Sequence, residues 1–252
     1  MSPQAALAIF TAGLAAGTVN VIVGSGSLIT FPTLLALGYP PVLANVSNTV
    51  GLVPGSVSAT VAYRRELSGQ GRRLVQLGPA SVAGGLIGAL LLLALPHSVF
   101  KAAVPALIGL AVVLMAVQPT VSSGLDNRGS RHAHGGVVLL VGVFLAGVYG
   151  GYFGAAQGVI LIALLAVFID DDLQRLNGTK NALALTVNAV SGLFFVATTP
   201  VSWPVAGLIA AGSIVGGQVG GRYGRRIPPP VLRWVIVTVG LGVAVALAVA
   251  WH

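Results

Sequence analysis

Apolar stretches separated by short polar breaks run along the whole chain and predict ten helical segments. We expect helices over approximately 5–23, 26–38, 42–62, 74–95 and 98–118 in the first half, and over 135–153, 157–169, 173–197, 204–221 and 229–251 in the second. Uncharged stretches of about 20 residues are long enough to cross the roughly 30 Å hydrocarbon layer as helices. The pattern therefore predicts an all-α polytopic membrane protein.

The second segment of each half is too short to cross a bilayer comfortably, since about 13 residues give roughly 20 Å of helix. Each short segment is better combined with the segment before it as a broken or re-entrant hairpin. The breaks fall at Gly24-Ser25-Gly26-Ser27 and at Gly154-Ala155-Ala156-Gln157-Gly158.

The two halves are versions of one unit. At a constant offset, Asn45, Ser47, Ser81, Gly84, Gly85 and Gly88 coincide with Asn177, Thr179, Ser213, Gly216, Gly217 and Gly220. The loop charges are exchanged, because the arginine-rich loop 64–73 has a neutral counterpart around Ser202, while Arg222, Arg225 and Arg226 have a nearly neutral one near His97. This exchange predicts two repeats of inverted topology, with a substrate held between them.

Positive charges set the expected orientation. If loop 64–73 is cytoplasmic, Arg175 and the arginines of the linker and of the second half also fall inside, which satisfies the positive-inside rule. We therefore expect a first transmembrane repeat over 1–118, a cytoplasmic linker over 119–134, a second repeat over 135–252, and both termini in the periplasm. The first apolar segment lacks a basic leader, so we expect a retained helix rather than a signal peptide.

Composition excludes several classes of function. The chain is 56% hydrophobic and only 7% charged, whereas a soluble domain carries roughly a quarter of charged residues. The net charge of +8 comes mainly from arginines in short loops, so we expect contact with a lipid bilayer and none with nucleic acid. With no cysteine, disulfides and thiolate metal sites are excluded. We expect no cofactor and no metal.

The two helix breaks are the first candidates for chemistry. A helix that restarts after a break points its partly positive N-terminus at the space in front of it, and two such ends would make an anion site from backbone donors. Gly24, Gly26, Ala156 and Gly158 would let a ligand approach the backbone, while Ser25, Ser27 and Gln157 add side-chain donors. The alternative is that these glycines only allow close helix packing.

Two polar clusters stand on the first turns of otherwise apolar helices. They are Asn45, Ser47, Asn48 and Thr49 in the first half, and Asn177, Thr179, Lys180 and Asn181 in the second. Helix capping accounts for Asn45 and Asn177. The residues that follow lie inside the helices, and we expect them to form hydrogen bonds to a ligand across a cavity.

Lys180 is the one basic residue placed clearly within a predicted span, and a buried cation is costly unless it is paired. All five acidic residues lie in loops or at helix edges: Glu66, Asp126, Asp170, Asp171 and Asp172. A transported anion is then the expected partner of Lys180. The alternative is that the side chain extends to the membrane surface. Since only Lys180 could act as a base beside a serine, we do not expect an enzyme.

Three further features have structural interpretations. Asp170, Asp171 and Asp172 are expected to solvate and cap the next helix, with a cytoplasmic gate as the alternative. The stripes Gly84-Gly85-x-x-Gly88 and Gly216-Gly217-x-x-Gly220 predict close helix contact. The four histidines lie in loops or at the terminus and do not indicate a metal site.

In the first half, the helix break, which we call the first hinge, is followed by Pro32, Leu34–Gly38, Pro40-Pro41 and Ala44-Asn45-x-Ser47. In these residues the chain resembles the TauE/SafE family of sulfite or organosulfonate exporters. The second half repeats the theme with Gly151–Gly158 and Thr179-Lys180. The first hinge departs from the family's richer glycine run, since serine takes two places. The resemblance implies multi-pass transport of small sulfur oxyanions or sulfonates across the bacterial inner membrane, driven by the proton gradient.

Three functions are consistent with these features. The first is a secondary transporter that exports small sulfur-containing anions by alternating access, with protons carried on the substrate or on Lys180. The others are a passive anion channel and a membrane scaffold that transports nothing. A homodimer is a candidate assembly.

Overall fold

The computed structural model describes residues 1–123 and 136–223, together with residue 238. The regular secondary structure of this part of the chain is entirely helical. Its helices are α1 (Pro3–Ile22), α2 (Ser27–Ala36), α3 (Pro41–Ala62), α4 (Gly71–Ala94), α5 (His97–Ser123), α6 (Gly136–Tyr152), α7 (Gln157–Phe168), α8 (Leu173–Thr198) and α9 (Trp203–Tyr223).

The helices agree closely with those that the sequence predicts. The largest difference is at α5, which continues to Ser123 and so enters the predicted linker. The rest of that linker, the arginines beyond Tyr223 and, apart from residue 238, the helix predicted over 229–251 lie outside the described residues. Five of the described helices (α1, α4, α5, α8 and α9) are long and apolar enough to cross a membrane. The protein is thus an all-α polytopic membrane protein.

Both short helices turn back along the helix before them. In the first half, Gly26 lies against the Ala16 carbonyl group, and the Tyr39 hydroxyl group at the far end of α2 is 3.9 Å from the Met1 sulfur at the start of the chain. In the second half, Gly142 on α6 lies against the Leu164 side chain on α7. The structure therefore has hairpins here, and α2 and α7 are their short arms.

The helices of one half pack on those of the other in a reciprocal way. The first helix of each half lies along the fourth helix of the other half, so that α1 contacts α9 and α6 contacts α4. The glycine stripes make these contacts, as the sequence predicts: Gly84 lies on the Phe144 backbone and Gly216 on the Leu14 backbone. Such an exchange of partners is expected for repeats related by a two-fold axis. Inverted insertion itself stays a prediction.

Candidate functional site

The two helix breaks meet each other. The amide N–H of Gly158 donates to the carbonyl oxygen of Gly24 at 3.0 Å. A Cβ atom at either glycine would collide with the backbone of the other, and Gly24 also has a positive φ of 84°, which glycine adopts without strain. The breaks lie where the sequence predicts them, and their tips touch.

Several buried polar groups at these tips have no partner within the described part of the chain. The Ser25 hydroxyl and the Gln157 side-chain NH₂ are buried without a hydrogen bond. Likewise, no acceptor is bonded to the backbone N–H of Ser25, Gly26 or Ala156 in that part of the chain. An unsatisfied buried donor costs about 1–3 kcal/mol. Such a concentration of unpaired donors is expected where a ligand supplies the acceptors.

Not every predicted donor is free. The N–H of Gly158 donates to the Gly24 carbonyl oxygen. Gly158 therefore lets the two backbones approach each other but has no donor left for a ligand. The Ser27 oxygen accepts a hydrogen bond from the Asn48 side chain at 3.2 Å, and the Thr30 hydroxyl donates to the other end of the same amide. Asn48 therefore fixes the start of α2, and Thr49 is buried beside it.

Lys180 is completely buried, at 0% exposure. Its ammonium group donates to the carbonyl oxygens of Val21 at 3.3 Å and Asn20 at 3.5 Å, at the end of α1 next to the first hinge. The described residues place no carboxylate in an ion pair with it. The C-terminal end of a helix dipole favours a cation, which explains this position. The alternative prediction, that the Lys180 side chain extends to the membrane surface, is therefore wrong.

The Val21 carbonyl oxygen is shared by three donors. Asn177 and Asn181 each place a side-chain nitrogen 3.4 Å from it, in addition to Lys180. A carbonyl oxygen has two lone pairs, so the three donors compete for it. All three bonds are long, and at least one donor has unused capacity.

Asn45 and Asn177 play the same part in the two halves. The Asn45 side chain donates to the Tyr152 carbonyl oxygen at 3.0 Å, at the end of α6, just as Asn177 donates to the Val21 carbonyl oxygen at the end of α1. Each asparagine therefore binds the hinge of the opposite half. The capping prediction is wrong, because α3 begins at Pro41 and α8 has Asp172 as its N-cap. Asp172 confirms that an aspartate of this run caps α8.

The two polar clusters lie far apart. Helices α3 and α8 run antiparallel, with Asn188 bonded to Ser56 near the middle and Asn177 bonded to Tyr63 at one end. At the other end, Ser47 bonds to Ser202, which lies just beyond the end of α8. At about 1.5 Å per residue, the clusters are separated by roughly 20 Å along this pair. At this separation, one small anion does not contact both clusters at once.

Ser47 and Thr179 hold loops. The Ser47 oxygen accepts the backbone N–H of Ser202, in the loop before α9, at 3.0 Å. The Thr179 hydroxyl donates to the Gln70 side-chain oxygen at 2.5 Å, in the loop before α4. Sequence reasoning missed Gln70, which is only 3% exposed. It lies between two glycines in an arginine-rich loop, where nothing in the pattern predicts burial.

An all-helical membrane chain with interrupted helix pairs in corresponding places of its two halves is typical of membrane transport proteins. Sequence comparison agrees with this class. The family described as Sulfite exporter TauE/SafE matches residues 9–247, and the chain belongs to that family.

Relatives of known name are described as transporters. A Haemophilus influenzae protein named Probable membrane transporter protein is 30% identical over 210 residues, which cover 83% of this chain and 81% of that protein. Probable membrane transporter protein ORF9 of Sinorhizobium is 29% identical over 245 residues, covering 95% and 90%. Probable membrane transporter protein YfcA of Escherichia coli K12 is 27% identical over 231 residues, covering 88% and 81%. No solved structure gives a significant match. The chain is a membrane transporter and not an enzyme.

Proposed function

We propose that this protein is a secondary transporter that exports small sulfur-containing anions, such as sulfite or organosulfonates, and binds them where the two hinges meet. The observation that carries the proposal is the group of unpaired donors at the tips, above all the Ser25 hydroxyl and the Gln157 NH₂ group. The family and its description support the class of substrate.

The chemistry of the tips suits an oxyanion. The oxygens of a sulfite or sulfonate group accept hydrogen bonds in several directions, and the N-termini of α2 and α7 bring backbone N–H groups and two partly positive helix ends toward one point. Ser25 and Gln157 add donors from both halves. Because each half supplies donors to the site, movement of one half against the other would change which side of the membrane the site is open to.

Lys180 supplies the positive charge in this proposal. It shares the Val21 carbonyl oxygen with two asparagines, so it can turn toward an arriving anion while Asn177 and Asn181 keep the end of α1 bonded. No acidic residue lies within a predicted span. Protons that drive export would therefore travel on the substrate or on Lys180. The arginine-rich loops support an inner-membrane orientation with both termini in the periplasm.

Reconstitution tests the proposal against its alternatives. A pH gradient is imposed across the membrane of proteoliposomes that contain the protein. The accumulation of radiolabelled sulfite is then followed with and without an ionophore that collapses the gradient. A proton-coupled transporter accumulates sulfite above its equilibrium concentration, and this accumulation disappears when the ionophore is added. Flux that only equalises the concentrations would instead establish a channel. No flux of sulfite or of any sulfonate would leave the scaffold as the better account.

A further inference from the structure

The loop between α3 and α4, residues 63–70, lies on the first turns of α8 and is held there by Gln70. The Gln70 side-chain nitrogen donates to the carbonyl oxygens of Glu66 and Arg175, both at 2.8 Å. Its oxygen accepts from the Thr179 hydroxyl and from the Arg73 guanidinium. An amide side chain has two donors and two acceptor positions, and here all four are used. Gln70 thus joins the loop, α4 and α8.

Ion pairs surround this glutamine. Asp171 accepts hydrogen bonds from Arg73 of α4 and from Arg175 of α8, each at 2.9 Å. Arg175 also reaches the carbonyl oxygen of Ser68 in the loop, at 3.3 Å. One carboxylate therefore holds two arginines from different helices against the edge of the loop.

The loop covers the end of the molecule that holds Lys180. Gly178 lies directly under it, since a Cβ atom at Gly178 would be 3.4 Å from the Leu67 side chain and 3.5 Å from Glu66 Cβ. At the start of the loop, the Tyr63 hydroxyl contacts Gln174 at 3.2 Å and Asn177 at 2.9 Å. The loop therefore lies over the first turns of α8, directly before Lys180.

The corresponding loop in the second half is held differently. There, the Ser202 backbone N–H donates to Ser47 at 3.0 Å, and no ion pair joins this loop to α3 in the described ranges 1–123 and 136–223. The two ends of the transporter thus have loops docked in equivalent places, one through charges and a buried glutamine, the other through a neutral bond.

We propose that residues 63–70 are a lid, latched to α8 by Gln70 and by the ion pairs of Asp171, which lifts to open the Lys180 end of the transport path. Its part in transport rests on the proposed function. Its opening does not, and can be measured without any substrate.

The absence of cysteine from the chain makes lid opening directly measurable. A cysteine introduced by Gly178→Cys lies under the closed lid, so a charged methanethiosulfonate reagent modifies it only when the lid lifts. In purified protein, we expect Gln70→Ala to speed this modification about fivefold, as for the loss of one net hydrogen bond. Asp171→Asn, which changes the latch more gently, should speed it as well. Arg72→Ala, an exposed arginine beside the latch, is the matched control and should leave the rate unchanged.

An unchanged rate in both latch variants would overturn the lid, and so would equal acceleration by Arg72→Ala. A second experiment closes the lid covalently. The Cβ atoms of a Glu66→Cys and Gly178→Cys pair would be 3.5 Å apart, within the range for a disulfide of about 3.5–4.5 Å. Oxidation should stop sulfite flux in this variant and reduction restore it, while each single cysteine variant is unaffected by oxidation. Flux that persists in the cross-linked protein would exclude a lid function.

The two experiments separate the two proposals. If the latch substitutions speed modification of the Gly178→Cys protein but the protein without the cross-link transports no sulfur anion, the lid stands and the proposed substrate fails. If sulfite is transported but the rate of modification ignores the latch, the transporter stands and the lid fails.

Discussion

Gly24 and Gly158 touch backbone to backbone, joined by a hydrogen bond of 3.0 Å from the Gly158 N–H to the Gly24 carbonyl oxygen. They belong to different halves of the chain and to helix breaks more than a hundred residues apart in sequence. The contact places the N-terminal ends of α2 and α7 at one point. Everything proposed for substrate binding depends on this meeting of the two hinges.

Gly158→Ala should weaken both the fold and transport. The new methyl group would collide with the Gly24 backbone, which cannot give way as a flexible side chain does, and overpacking of this kind costs about 1–3 kcal/mol. We expect a lower unfolding temperature and loss of sulfite flux. Gly207→Ala on α9 is the control, because a Cβ atom there meets nothing within 4 Å. Equal behaviour of the two variants would mean that the hinges do not need their close contact.

Ser25→Ala should make the empty protein more stable and the transporter worse. The Ser25 hydroxyl is buried without a partner, so its removal relieves a desolvation cost of about 1–3 kcal/mol. Ser81→Ala removes a second buried hydroxyl without a partner, on α4 and away from the hinges. Thermal unfolding should show stabilisation in both variants, whereas flux should fall only in Ser25→Ala. A Ser25→Ala protein with full flux would remove this hydroxyl from the site.

Lys180→Ala should reduce sulfite flux at least about tenfold, since a charge-assisted hydrogen bond contributes about 1.5–3 kcal/mol. Lys180→Gln, which keeps a donor but no charge, should show a loss of similar size if the charge is what matters. The chain has one other lysine, Lys101, which is exposed, and Lys101→Ala serves as the control. Size-exclusion profiles and unfolding temperatures establish that each variant is folded. Normal flux in folded Lys180→Ala would assign the lysine to the packing of α1 alone.

The Asp171 latch should fail only in acid. Burial raises the pKa of Asp171, but the hydrogen bonds and charges of Arg73 and Arg175 outweigh it and hold the pKa below its usual value of 3.8. A lowered folded-state pKa gives stability that is present above the unfolded pKa and lost as the pH falls through the folded value.

Asp171→Asn should therefore cost about 1 kcal/mol at pH 7, an ordinary value for a partly exposed pair, and this cost should be constant between pH 5 and 8. Below about pH 4 the difference between variant and parent should shrink, because the parent then loses its carboxylate. Thermal unfolding across this range checks the prediction. A difference that already disappears near pH 6 would mean that the ion pairs do not lower this pKa.

The sequence predicts the helices and their breaks well because both depend on local patterns. Apolar length determines α1, α4 and α8, and glycine with serine marks the interruption after Val23. The burial of Lys180 is one of two outcomes that the sequence allows, because a lysine in an apolar stretch either finds a buried partner or extends to the membrane surface.

The partners of these groups are not predictable in the same way. The bonds from Lys180 to Val21 and from Asn45 to Tyr152 join helices of different halves, so they depend on packing that no local pattern contains. The same applies to Gln70, whose four hydrogen bonds appear only when the loop lies on α8. The capping prediction for Asn45 fails because α3 begins a full turn earlier than the polar cluster suggests.

Calorimetric titration of purified protein with sulfite measures binding at the hinges without assuming any direction of transport or driving force. We compare the parent with Gln157→Leu, a variant of similar volume that removes the unpaired NH₂ group. We expect saturable binding of sulfite by the parent and at least about tenfold weaker binding by the variant, as for the loss of one charge-assisted hydrogen bond. Equal affinity in the two proteins, or no binding of sulfite or sulfonates by the parent, would contradict this expectation.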